Sequence, residues 1–321
     1  MLQLVNLSNY ISDLELIHNS PDCLQAFLNH HHLDGLEMMF CNPWNPRIHK
    51  KEWIQGVHLR FWPSWLDFWR GDRKELLRQF GSDEAIEACY GALTPEGWLN
   101  VYRKNIRDAK MAGAKYAVFH VSQARVSELF NWQFAFSDRE TVEATIEVIN
   151  ELAADIPAEM ELLFENLWWP GLTLKDKETA ALLIDSVKHQ RTGIMLDVGH
   201  LMNTNQELTS QDEGVDYVLQ VAEGLGEYKQ YIRGMHLHYS LSGTYVKQSR
   251  KREMPQDNLL GETMSHVLRI DEHLPFSSSS VKKLIHYVQP EYVVHEFMYT
   301  SINDWSEKIK IQQQALGYKE R

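Results

Sequence analysis

Carboxylate and imidazole side chains recur at the ends of apolar runs along this chain. RTGIMLDVGHLMN (191–203) sets Asp197 and His200 three residues apart, straight after Ile194-Met195-Leu196. IQGVHLRF (54–61) carries His58, AKYAVFHV (114–121) carries His120 and MELLFENL (160–167) carries Glu165. IRGMHLHYS (232–240) holds His236 and His238, and EYVVHEFM (291–298) holds Glu296. One imidazole in such a place is usually a hydrogen-bonded core or rim residue. Six consecutive runs ending this way point to shared cations, because a buried carboxylate needs a cation or hydrogen-bond donors close by. Mixed imidazole and carboxylate donors suit Zn²⁺, Mn²⁺ or Fe²⁺ better than Mg²⁺ or Ca²⁺, which prefer oxygen shells.

The elements that must position these groups follow from the spacing. With LQLVNLS (2–8) and LDGLEMMF (33–40), the apolar runs number eight. Each has the length of a strand buried on both faces. Helical stretches lie between most of them, at 94–114, 137–156, 173–188, 213–231 and 278–289. The first opens on Thr94 with Pro95 at the first helical position, a cap without a capping box because Gly97 occupies the third position. The alternation predicts a parallel sheet with crossover helices, and eight strands close a (β/α)8 TIM barrel. An open doubly wound sheet would announce itself with a glycine-rich turn after the first strand, and VNLSNYIS has none. The expectation is a single domain over 1–321, with long βα loops at 61–93 and 240–270. In a barrel both loops lie on the C-terminal face, where chemistry is done.

Composition narrows the partners. The net charge of −12 gives no general basic footprint for nucleic acid or an anionic membrane. No apolar run reaches membrane-spanning length, and MLQLVNLSNYISD does not read as a signal peptide. Cys23, Cys41 and Cys89 form no Cys-x-x-Cys spacing, which suggests reduced thiols and a cytoplasmic location. Phe61, Trp62, Trp65, Phe68 and Trp69 follow His58, and Trp168 and Trp169 follow Glu165. Such rings stack on sugars or bases; the competing reading is a helix face packed on the barrel. VKQSRKRE (246–253) offers Lys247, Arg250, Lys251 and Arg252 to a phosphate, or is simply a solvated loop. NHHH (29–32) precedes the second strand, on the opposite face from the strand ends, and is expected at the surface. His295 is expected to point away from Glu296 by strand alternation.

LLFENL, MLDVGH, GMHLH and VVHEF together resemble the xylose-isomerase-like TIM-barrel superfamily. That superfamily includes sugar phosphate isomerases and epimerases and the endonuclease IV family of apurinic-site nucleases. The resemblance spans roughly residues 1–300 and implies a barrel with a metal site. In the epimerase branch it implies one ion on Glu165, Asp197, His236 and Glu296, with Glu165 and Glu296 also moving a proton on the sugar. In the endonuclease IV branch it implies up to three zinc ions, with His58, His120, His200, Asp271 and His273 as further ligands. Glu165 would then bridge two ions that activate a water, and the ion on His200, Asp271 and His273 would steady the leaving oxygen. Phe61 and Trp62 match the bulky residues that help prise out an abasic site. Two departures stand out: HLHYS has His238 and Tyr239 where the nuclease pattern has Asn-Asp, and LPFSSSS replaces its Gly-x-Gly. His238 is expected, with Phe61, Trp62, Trp168 and Trp169, to contact substrate. The sequence thus predicts an endonuclease-IV-like phosphoester hydrolase, with abasic DNA among its candidate substrates. The alternative is a mononuclear sugar isomerase or epimerase. Zinc is the ion expected first, then manganese or iron.

Overall fold

The computed structural model describes residues 1–250 and 259–318. Its strands are β1 (Leu2–Ser8), β2 (Gly35–Met39), β3 (Ile54–His58), β4 (Tyr116–His120), β5 (Glu161–Glu165), β6 (Thr192–Asp197), β7 (Ile232–Leu237) and β8 (Tyr292–His295). They are parallel and close into a barrel in chain order, β8 pairing with β1. Every strand lies inside one of the apolar runs read above, most of them shortened at the ends. The fold is a single-domain (β/α)8 TIM barrel with its helices outside.

The helices start where the caps say. Thr94 accepts from the Gly97 N–H before Pro95–Ala112, and Ser137 accepts from Glu140 N before Asp138–Leu152. Glu140 returns the bond to the Ser137 N–H, a complete capping box. The outer strand faces and the helices share one apolar core. His295 lies on this outward side: its Nε2 lies 3.0 Å from Gln3 Oε1, and its Nδ1 accepts from Gln312 Nε2 at 2.9 Å.

Alternation along the strands builds the site's floor. Leu4, Tyr116, Val118, Leu163, Met195, Tyr292 and Val294 form a separate apolar cluster within the ring of strands. Side chains two residues further along face the same way. After Val118 comes His120, after Leu163 Glu165, after Met195 Asp197 and after Val294 Glu296. The layer above the apolar plug is therefore the polar one. Strand register sets His120 level with Glu165 and Asp197 level with His236.

The two long βα segments carry helices of their own. The first holds Leu66–Trp69, Arg73–Phe80 and Asp83–Tyr90. The second holds Gly243–Ser249 and Leu259–Leu268. In the basic stretch Lys247 pairs with Glu207 at 2.7 Å, and Arg250 lies 4.2 Å from the Trp132 ring centre. Lys251 and Arg252 fall outside the described residues. The surface reading of NHHH needs correction: His30 and His32 are exposed, but His31 is buried, its Nε2 2.9 Å from Ser306 Oγ. Among the described residues no helix is long and apolar enough to cross a membrane.

His49 is fully buried and neither ring nitrogen has a hydrogen-bond partner. Burial holds its pKa down to about 4, from an ordinary 6.5. The unfolded chain takes that proton first, so folding stability falls as the pH drops from about 6.5 through about 4. His49→Leu removes this loss. Between pH 7 and pH 5, unfolding free energies from urea denaturation should shift by about 2 kcal/mol in favour of the variant relative to the parent.

Candidate metal centre

The polar layer resolves into three adjoining groups of donors. One is His58, His120 and Glu165; the second is Glu165, Asp197, His236 and Glu296; the third is His200, His238, Asp271 and His273. Within each group the donor atoms lie within 4.8 Å of one another. Glu165 belongs to two groups because its oxygens diverge. Oε2 lies 3.0 Å from His58 Nε2 and 2.9 Å from His120 Nε2. Oε1 lies 3.2 Å from His236 Nδ1 and 3.2 Å from His200 Nδ1. Asp197, at the end of β6, accepts from the His200 N–H through Oδ1 at 2.6 Å. Its Oδ2 faces the second and third groups, 3.6 Å from His236 Nδ1 and 3.0 Å from His238 Nε2. Asp271 Oδ2 lies 3.0 Å from His200 Nε2. His273 is placed by a backbone φ of 47°, in the left-handed region.

Tracing the imidazole protons shows why cations fit here. His58 Nδ1–H donates to the Leu59 carbonyl at 2.8 Å, and His200 Nδ1–H to the Asn166 carbonyl at 3.0 Å. His236 Nε2–H donates to Glu37 at 2.9 Å and His238 Nε2–H to Asp197 at 3.0 Å. Each neutral ring then turns a lone pair, not a proton, toward carboxylate oxygens or other imidazoles. His236 Nδ1 is the clearest case: it is buried without a hydrogen-bond partner and lies 2.9 Å from the equally unpartnered Glu296 Oε2. Lone pairs facing one another in a dry site repel. Extra protons or divalent ions relieve that repulsion, and the imidazole–carboxylate donor set is the one zinc-class ions take.

The electrostatics agree. Burial alone would raise the carboxyl pKa of Glu165, Asp197 and Asp271, yet the surrounding imidazoles hold all three below their ordinary values. Burial likewise opposes charge on His200 and His236, yet Asp197 and Asp271 around the first, and Glu296 and Glu37 around the second, raise both well above the ordinary value. The site is a well of negative potential that holds cationic charge as protons when nothing heavier supplies it.

One member of the site escapes the sequence reading. Glu37, in the middle of β2, is buried; one oxygen accepts from His236 and the other from the Tyr116 hydroxyl at 2.8 Å. This carboxylate fixes the tautomer that aims His236 Nδ1 at the second group. The Tyr116 ring fits only because Gly56 has no side chain, since a Cβ there would lie 2.1 Å from Tyr116 Cζ. A charged residue inside an otherwise apolar β2 run is the signal available.

The aromatic residues divide. Phe61 packs on His120, ring centres 4.2 Å apart, and lines the mouth half-buried. Trp168 covers His200, ring centres 5.0 Å apart, and is itself buried against Trp169. Trp169 is buried too. Trp62 is also corrected: it is buried in the outer core against Trp98 and Tyr102, its indole N–H donating to the Cys89 carbonyl. His238, expected at the substrate, is fully buried beside His200, Asp271 and His273.

A parallel barrel with its polar layer at the C-terminal strand ends defines the enzyme-bearing class of (β/α)8 folds. The chain belongs to the xylose isomerase-like TIM barrel family, whose model matches residues 54–289. Solved structures similar to it include endonuclease IV from Thermus thermophilus, at 13% identity over 99% of this chain and 100% of that chain, with a TM-score of 0.54. D-psicose 3-epimerase crystallised in the presence of D-fructose matches at 10% identity over 99% and 98% of the two chains, TM-score 0.51. The probable 3-DHS dehydratase AsbF from Bacillus anthracis matches at 13% identity over 98% of each, TM-score 0.52. At such identities the likeness is one of fold. No curated protein sequence matches.

Glu37→Ala should weaken divalent-ion binding by the second group about 10- to 100-fold, the usual cost of losing a carboxylate behind a ligating histidine. Zinc titration against a competing chelator reads this directly, and Tyr116→Phe should have a smaller effect in the same direction.

Proposed function

We propose that this protein is a divalent-metal-dependent phosphoester hydrolase of the endonuclease IV type, with a multinuclear site and zinc as its first candidate ion. The observation that carries this reading is the divergence of the Glu165 oxygens, one toward His58 and His120 and the other toward His236. A mononuclear isomerase has use for Glu165, Asp197, His236 and Glu296 but none for His58 and His120 as a second set of donors.

Bound divalent ions supply Lewis-acid charge and lower the pKa of a coordinated water. The chain's own part is positioning. Glu165 ties two donor groups at a fixed separation. Glu37 and the Leu59 carbonyl set the rings of His236 and His58. The apolar floor excludes water from below, which strengthens every charge interaction above it. Phe61, beside His120, offers an apolar face to a sugar or base at the mouth. His58, His120 and one oxygen of Glu165 would hold one ion, and the other Glu165 oxygen with Asp197, His236 and Glu296 a second, whose charge would favour an in-line displacement at phosphorus. Abasic DNA is the substrate this reading favours, by the likeness to endonuclease IV.

The second reading, sugar isomerisation or epimerisation, draws on Glu165 and Glu296 sharing the second group. They would serve as the acid and base on either side of a hydroxy-ketone. Metal content separates the two. The hydrolase reading expects about three zinc ions per chain, and the isomerase reading about one. Nicking of an abasic-site duplex by the zinc-loaded protein should fall by more than about 100-fold in His120→Ala. A protein that binds about one ion, leaves abasic DNA intact and converts a ketose defeats the hydrolase reading.

A further inference from the structure

We infer that His238 is a fourth protein donor that closes the third group, His200, Asp271 and His273, into an all-protein cage for a zinc-class ion. The ion in that cage is then held for architecture and charge and meets no substrate. The inference rests on the metal reading above but not on the choice of reaction.

His238 follows His236 by two residues, so both face the barrel interior. Its Nε2–H is committed to Asp197 Oδ2 at 3.0 Å. That leaves Nδ1 as a lone pair, fully buried, without a hydrogen-bond partner and 4.0 Å from Asp271 Oδ1. An acceptor nitrogen sealed from water beside a carboxylate is costly unless a cation lies between them. The ring is stacked on His273 with centres 4.2 Å apart and planes 15° apart, and meets His200 edge-on at 5.8 Å.

A second, independent feature shows that the space for this ring is built. Gly199 stands between Asp197 and His200, and a Cβ there would lie 2.1 Å from His238 Cε1 and 2.3 Å from Nδ1. Only glycine at 199 admits the imidazole in this position. The backing also has the form that ligating histidines use, a carboxylate accepting from the far ring nitrogen. Here that carboxylate is Asp197, itself a donor of the second group, so the two sites are electrically joined through one side chain.

Donor count decides the role. Three protein donors leave a zinc ion an open position for water or substrate, whereas four close it. With His238 included, the third group has four. Substrate contact then falls to the groups that share Glu165.

The test uses the full chain loaded with zinc alone, then dialysed against a strong chelator. The parent should retain about one zinc per chain, the caged ion, after the others are stripped. His238→Ala, and His238→Gln as the volume-conserving variant, should retain none. Gly199→Ala, which expels the ring without removing it, should do the same. Cobalt(II) in the cage should show the intense visible absorption of a four-coordinate ion, and His238→Gln should weaken it. A folded His238→Gln protein that keeps the resistant ion and the cobalt spectrum overturns the inference. So does a parent that binds zinc but retains none against the chelator. A parent that binds no zinc at all overturns the metal reading with it.

Discussion

The site depends on one carboxylate placed where it cannot be neutralised by water. Glu165 is 1% exposed, with imidazole nitrogens of His58, His120, His200 and His236 within 3.2 Å of its oxygens. A buried carboxylate of this kind is tolerable only if cationic charge accompanies it. The rings of His58, His200, His236 and His238 have one N–H each tied to Leu59, Asn166, Glu37 or Asp197, so their other nitrogens face the carboxylates and take either a proton or a metal ion. The fold has oriented the rings in advance, and in doing so has made the layer one that takes up positive charge, as protons or as metal ions. The barrel serves this commitment: the apolar plug below keeps water out, and strand register sets the donors level with one another.

Much of this is legible in the residues, for a physical reason. A parallel barrel strand is buried on both sides, so it writes itself as a short apolar run. The first interior position above the plug falls at the run's end, where a His or Glu is conspicuous. All eight strands follow from that rule, and with the resemblance so do the positions from His58 to Glu296 that the structure gathers into three donor groups. Glu37 is hidden because it sits within a run rather than at its end, and its purpose lies with His236, far away in the chain. The rings of Trp62 and Trp169 mislead for a related reason. Proximity to a strand end says that an indole is near the mouth, not which way it turns. His238 reads from the sequence as a substrate contact at the end of the β7 run. Its burial is created by Gly199, Asp197 and His273, which arrive from other segments.

Similarity of fold does less than the site does. The barrel resembles a nuclease, an epimerase and a probable dehydratase to nearly the same extent. One scaffold supports many reactions by changing what its strand ends and loops present. The features that define this site are local: the divided allegiance of Glu165, the Tyr116–Glu37–His236 chain rooted in the core, and a histidine sealed behind glycine. The Tyr116 link means that the plug and the ligand layer are not separable designs. A change in how rings fill the barrel reaches the ligating nitrogen through two hydrogen bonds.

Exposure within the ligand set is uneven. His120, Glu296 and His273 keep 12%, 16% and 12% of their side-chain surface open, whereas His58, Asp197, His236 and His238 keep 7% or less. Each donor group thus has one member on the rim and the rest rooted beneath it. An ion entering or leaving would meet His120, Glu296 or His273 first and the deeper donors last.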